Sequence, residues 1–196
     1  MRITPYQPLL LRLLHGISAL LVLGAWATGF LVYDSWDRRF GGLGFTTRDR
    51  NLIDIHGTFG FFLFFVFIAF AIYSLSAGRK RLIQRESLSQ LTQIGRPIWW
   101  VALQRVTNTT MLVAATLAVG SGKLQDENWL PNGELNHIAY FVHLFAWLLV
   151  ILSVAAHVLM SAKVGGIPLL LSMTTLKTRS DDWLVKKLQW FVRRSK

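Results

Sequence analysis

Cysteine is absent from the 196 residues. That excludes disulfides, thiolate-bound zinc, iron–sulfur clusters and covalent haem attachment through a Cys-x-x-Cys-His motif. Metal ligation falls to histidine, carboxylate, methionine or tyrosine. Charge is scarce as well: Asp, Glu, Lys and Arg make up 16% of the chain, against about 25% in soluble domains. Acidic residues are the scarcer kind, 10 against 21 basic ones, which leaves a net charge of +11. Apolar residues fill the space, at 53% of the chain with a mean hydropathy of +0.41. This composition predicts a membrane protein. The positive balance alone raises nucleic acid as a partner, and the placement of the charges decides that matter.

Four long apolar runs stand out, at about 9–32, 55–77, 98–120 and 137–162. Each holds roughly 20 residues or more, enough to cross a hydrocarbon core of about 30 Å. Backbone groups in lipid must satisfy one another, so continuous runs of this length read as helices rather than barrel strands. The first run follows Arg2 and contains Ala25-Trp26-Ala27, which raises a signal peptide as the alternative; its length, Arg12 and His15 favour a span. The third run is the most polar, with Gln104, Arg105, Asn108 and four threonines. Inside a bundle such a face points at neighbours or at a cofactor. The expected fold is an all-α membrane protein: a four-transmembrane-helix bundle over residues 1–165, followed by a tail over 166–196.

Basic residues cluster on one side of this bundle. Arg79, Lys80, Arg81, Arg85 and Arg96 lie between runs two and three, and eight more follow from Lys163 onward. The third connection has only Lys123, and the four arginines of the first are balanced by Asp34, Asp37, Asp49 and Asp54. The positive-inside rule places both termini in the cytoplasm. The basic excess then belongs to a membrane face, which argues against nucleic acid. In the tail, Trp183, Leu184, Leu188 and Phe191 recur at helical spacing among Lys186, Lys187, Arg193 and Arg194. This predicts an amphipathic helix on the inner membrane surface, with a cytoplasmic partner as the alternative occupant.

All five histidines fall in or at the edge of apolar runs: His15, His56, His137, His143 and His157. An ionisable group within a membrane is costly and marks function by default. His143 and His157 are fourteen residues apart, so they share a face to within about 40° and are separated by about 21 Å along the axis. His137 lies about 120° away from His143 and reads as interfacial, with a role in proton or substrate handling as the alternative. Depth along each helix pairs the rest: His15 with His157 on the inner side, His56 with His143 on the outer side. Two ligands per site are too few for zinc, which takes four. Haem iron has four bonds from its porphyrin and needs two axial ligands, so two bis-histidine haems fit the count.

Neighbouring residues suit that reading without requiring it. Gly16, Gly57 and Gly60 let either a flat macrocycle or another helix approach the backbone. Arg105 is a candidate partner for an inner haem propionate or a quinone headgroup, with snorkelling to the membrane face as the alternative. Arg12 and Lys163 are similar candidates, and Arg48 and Arg50 could serve the outer site or be solvated loop charges.

The pattern Leu14-His15-Gly16, Ile55-His56-Gly57, a third run without histidine and the His143–His157 pair resembles the bacterial cytochrome b561 family. It also resembles the cytochrome b subunits of nickel–iron hydrogenases and formate dehydrogenases. The resemblance covers about residues 8–165. It implies two non-covalent haem b groups, ligated by His15 and His157 on the inner side and by His56 and His143 on the outer side. It further implies electron transfer with quinone as substrate, either alone, in one type with superoxide as donor, or as the membrane anchor of a hydrogenase- or dehydrogenase-type complex with a redox partner protein. The lack of an extra partner-binding domain favours the stand-alone form; whether the chain is itself an enzyme stays open. The resemblance and the charge pattern suit a bacterial plasma membrane or a thylakoid. A non-redox membrane protein whose histidines carry protons or bind a transition metal is the remaining alternative.

Overall fold

The computed structural model describes residues 6–45, 47–175, 177–179 and 182–194, without the side chains of 188, 189 and 191–194. The described residues are helical and contain no strand. Three helices are long and apolar enough to cross a membrane: α1 (Leu9–Trp36), α2 (Arg50–Leu75) and α6 (Ile138–Ser172). Between them run the short α3 (Arg85–Leu91), the 27-residue α4 (Pro97–Lys123) and one turn of α5 (Trp129–Asn132); α7 (Trp183–Arg194) ends the described chain. α4 corresponds to the most polar run. It is as long as the others but falls short of them in apolarity.

Local chemistry sets the ends. The carboxylate of Asp49 accepts from the Asn51 amide at 2.9 Å and so caps α2, which therefore starts earlier than the apolar run does. Pro97 opens α4 at the first position, where a missing N–H costs nothing. α6 outlasts the run by ten residues, but it is two segments in one. Gly166 has φ 65° and ψ −170°, a backbone state that a side chain would oppose, and Pro168 follows without an N–H to continue the ladder. The span therefore ends near the Lys163–Gly166 stretch, and a short arm follows.

α1 packs on α2, and α4 packs on α6; the two pairs touch each other sparsely, chiefly through α2 and α4. Fully buried Ala102 and Ala114 on α4 and Ala146 on α6 keep side chains small where backbones approach closely. On the other pair, Gly24 leaves room for the ring of Phe59. A small apolar core forms around Leu63, Phe67 and Ala115, with Leu21, Val22 and Phe70 against it. The outer surface is apolar: Leu20 is 72% exposed, Ile72 64% and Phe145 61%. So much exposed hydrocarbon around the long helices suits lipid as the solvent.

The connections are ordered by carboxylates. Asp34 is wholly buried near the end of α1 and accepts the Leu43, Gly44 and Phe45 amides, which folds residues 41–45 over it. Asp37 accepts from Arg39 at 2.8 Å and from the Tyr140 hydroxyl at 2.9 Å, tying this loop to the start of α6. At the opposite end, buried Asp182 accepts the Leu9 amide and the Tyr6 hydroxyl, both at 2.7 Å. It also accepts the Leu184 amide at 3.1 Å, so one side chain serves the first turns of both α1 and α7. For the amphipathic face read in the tail, Trp183 is 60% exposed, whereas the side chains of Leu188, Phe191, Arg193 and Arg194 lie outside the described residues.

Candidate functional site

Four histidines converge in two pairs. His15 of α1 and His157 of α6 have ring centroids 6.0 Å apart, tilted by 39°. His56 of α2 and His143 of α6 have centroids 6.0 Å apart at 74°. α6 thus contributes one member to each pair, and fourteen residues of helix separate the two by about 21 Å. The spacing within each pair carries chemical information. A ring nitrogen binds a transition metal at about 2 Å, and the centroid lies about 1 Å behind that nitrogen. Two imidazoles trans on one ion therefore hold their centroids about 6 Å apart.

The far nitrogens are held. His143 Nδ1 donates to the Ala118 carbonyl at 3.0 Å, with Ser121 Oγ at 3.1 Å. His56 Nδ1 lies 3.2 Å from Thr28 Oγ1; that hydroxyl spends its own proton on the Gly24 carbonyl at 2.7 Å, so it receives the imidazole N–H. His157 Nδ1 lies 2.8 Å from Asn108 Oδ1, whose amide nitrogen donates to the Arg81 carbonyl at 2.9 Å. In each case Nδ1 carries the proton, and Nε2 keeps a free lone pair for ligation. His15 meets Phe70 edge-on at 6.3 Å.

Between the two helix pairs, at His56 and His143, lies a cavity of about 970 Å³. His56, His143, Gly57, Gly60, Phe61 and Phe64 are among its walls. The glycines around the site do two jobs. A Cβ on Gly29 would stand 3.0 Å from His56 Cε1, and one on Gly122 would stand 3.0 Å from His143 Cε1; these two make room for the imidazoles. A Cβ on Gly16, Gly57 or Gly60 would meet no protein atom within 4 Å. Gly57 and Gly60 therefore border open space rather than a packed helix. The walls beside the two imidazoles are largely apolar, with Lys123, Asp126 and Glu127 also lining the cavity, and such a slot fits a flat macrocycle held between two histidines. Among the described residues, no three His, Asp or Glu side chains gather as a metal cluster, so neither pair offers the four ligands that zinc takes.

The other residues singled out in the sequence sort differently. Arg105, on α4, is half-buried, and its side chain has no partner among the described residues. Arg12 is buried and donates to the Thr175 and Lys177 carbonyls, with its guanidinium 5.4 Å from the Tyr6 ring; it ties down the chain after α6. Lys163 sits 4.9 Å over the Trp100 ring. Arg50 reaches Asn128 at 2.9 Å and Glu127 at 3.4 Å, and Arg48 lies in the loop before α2. His137 lies outside both pairs, stacked on Trp129 at 3.8 Å with Nε2 3.6 Å from Glu134. Thr28, Ala118 and Ser121 were not legible as site residues, and Asn108 only as part of the polar face of its run, because nothing in a sequence tells which hydroxyl or amide of a span faces a histidine on another helix.

No curated protein and no solved structure matches the chain. A family model, described as prokaryotic cytochrome b561, matches residues 6–176 and so takes in all four paired histidines. The chain therefore belongs to the prokaryotic cytochrome b561 family, whose members transfer electrons through haem b in membranes.

Proposed function

We propose that this protein carries electrons across a bacterial plasma membrane, or a thylakoid, through two haem b groups, one held by His15 and His157 and one by His56 and His143. The observation that supports this most is the 6.0 Å centroid separation, the same in both pairs and close to that of two trans ligands on one ion. Held between the two histidines of each pair, haem would supply one-electron redox chemistry. The protein supplies the rest. Nδ1 acceptors orient three of the imidazoles, glycines admit the rings, and apolar side chains such as Phe61 and Phe64 line the slot beside His56 and His143.

The four-helix count and the cytoplasmic termini belong to this reading: α4 is the fourth span, made tolerable by neighbours that receive its polar side chains, as Asn108 and Gln104 show. Arg105 is the candidate cation for a propionate or for the headgroup of quinone, the expected exchange partner. A stand-alone quinone oxidoreductase is the first choice. The anchor-subunit reading has one observation in its favour: the folded loop over Asp34 presents Phe40, 76% exposed, and Leu43, 75% exposed.

The test is substitution at α6. His143→Leu should remove one haem and His157→Leu the other, each leaving a single b-type spectrum. Either variant with both haems fully bound would contradict the pairing. Reduction by quinol of the purified wild type, followed at the haem absorption, tests the quinone link; co-purification with a second redox protein would favour the anchor reading.

A further inference from the structure

The two α6 histidines are held by different kinds of acceptor. His143 leans on a backbone carbonyl, Ala118 O, with Ser121 in support. His157 leans on a side chain, Asn108 Oδ1 at 2.8 Å. That amide cannot turn freely. Its Nδ2 donates to the Arg81 carbonyl at 2.9 Å, in the tight turn Arg79–Arg81 between α2 and α3. The next residue of α4, Thr109, accepts the Ile83 amide at 2.9 Å and gives its own proton to the Arg105 carbonyl at 2.9 Å. The turn and Ile83 just after it are thus pinned to two adjacent residues of α4, and the bond to Arg81 presents Oδ1, not Nδ2, to His157.

An acceptor on Nδ1–H pushes electron density through the imidazole towards Nε2. A more electron-rich axial ligand stabilises the oxidised iron and lowers its potential. We propose that Asn108 is a positioning residue that lowers the midpoint potential of one haem only, the one held by His15 and His157, with the Arg79–Arg81 turn fixing its amide in the accepting orientation. The proposal rests on bis-histidine ligation by these residues. Ser121 has no equal role at the other haem, because the Ala118 carbonyl remains when its hydroxyl is removed.

Potentiometric titration of the haem-loaded protein tests this. Wild type should give two midpoints, assigned by which one disappears in His157→Leu. Asn108→Leu, similar in volume but without an acceptor, should raise that midpoint and leave the other in place; Ser121→Ala should move neither. If Asn108→Leu binds one haem, Asn108→Gln carries the comparison: two haems, with the same single midpoint displaced. Two bound haems with both midpoints unmoved, or both moved alike, would overturn the proposal, as would loss of both haems in both Asn108 variants. A wild type that binds no haem would instead overturn the ligation reading, so the two failures are distinguishable.

Discussion

A histidine that ligates a metal through Nε2 works best when Nδ1 is held, and the hydroxyl of Thr28 does this for His56. Thr28→Val should weaken retention of one haem by about tenfold, the low end of the effect of losing such a partner. Haem titration of the depleted protein would measure it; unchanged affinity for both haems would show that Thr28 is not needed. The glycines allow a sharper distinction. Gly29→Ala crowds His56 Cε1 at 3.0 Å, so it should disturb one haem spectrum through the protein itself. Gly57→Leu meets no protein atom near its Cβ. Helix content, and the melting temperature compared between the haem-depleted proteins, should stay near wild type while the haem content of the loaded variant falls from two to one. Two haems in Gly57→Leu would mean that the open space beside Gly57 is not the cofactor's. At this scale the histidines were legible because an ionisable ring in an apolar run has few structural excuses. Their acceptors were not. Thr107, Thr109 and Thr116 all bond their own helix backbone four residues back, and Thr28 does the same while also receiving an imidazole.

Among the elements, α7 is joined to α1 through Asp182. Asp182 serves the first turns of α1 and α7, and the Leu9 amide foremost, then the Tyr6 hydroxyl, holds its carboxyl below the usual range. A carboxyl whose folded pKa is depressed contributes stability that is complete above its unfolded value, about 3.9, and lost as pH falls through the folded one. Hydrogen exchange of the α7 amides should therefore hold steady from neutral pH down to about 4 and quicken below it, after correction for intrinsic rates. Loosening that begins near pH 6 would assign the hold to another group. Asp182→Ala should quicken exchange in α7 at neutral pH by roughly fivefold to tenfold, the effect of losing a cap. Hydropathy located the long helices because lipid demands some 20 apolar residues per span. It missed their ends, since Asp49 extends α2 forwards and only the backbone at Gly166 stops the α6 span. α3, α5 and the turn at Arg79–Arg81 were invisible for the same reason: they are polar, short and held by local bonds such as Gln84 with Ser87.

For the molecule as a whole, two helix pairs touch sparsely, and between them lie two pairs of imidazoles, α1 with α6 and α2 with α6, and Trp147 of α6 stacked on Trp26 of α1. The pairing by depth was readable from the sequence, because alternate helices run in opposite directions and each histidine's distance from a polar edge can be counted. The cavity between the helix pairs was not readable, because it depends on which faces pack and which are held open. A slot of about 970 Å³ in a bundle with so small a core is costly unless something fills it. The most direct test of the central claim is the haem-to-protein ratio of the purified wild type, taken with oxidised and reduced absorption spectra. Two non-covalent b-type haems per chain is the predicted result. A preparation that stays colourless when expressed with ample haem would contradict it, and the paired histidines would then need a proton-carrying or metal-binding explanation.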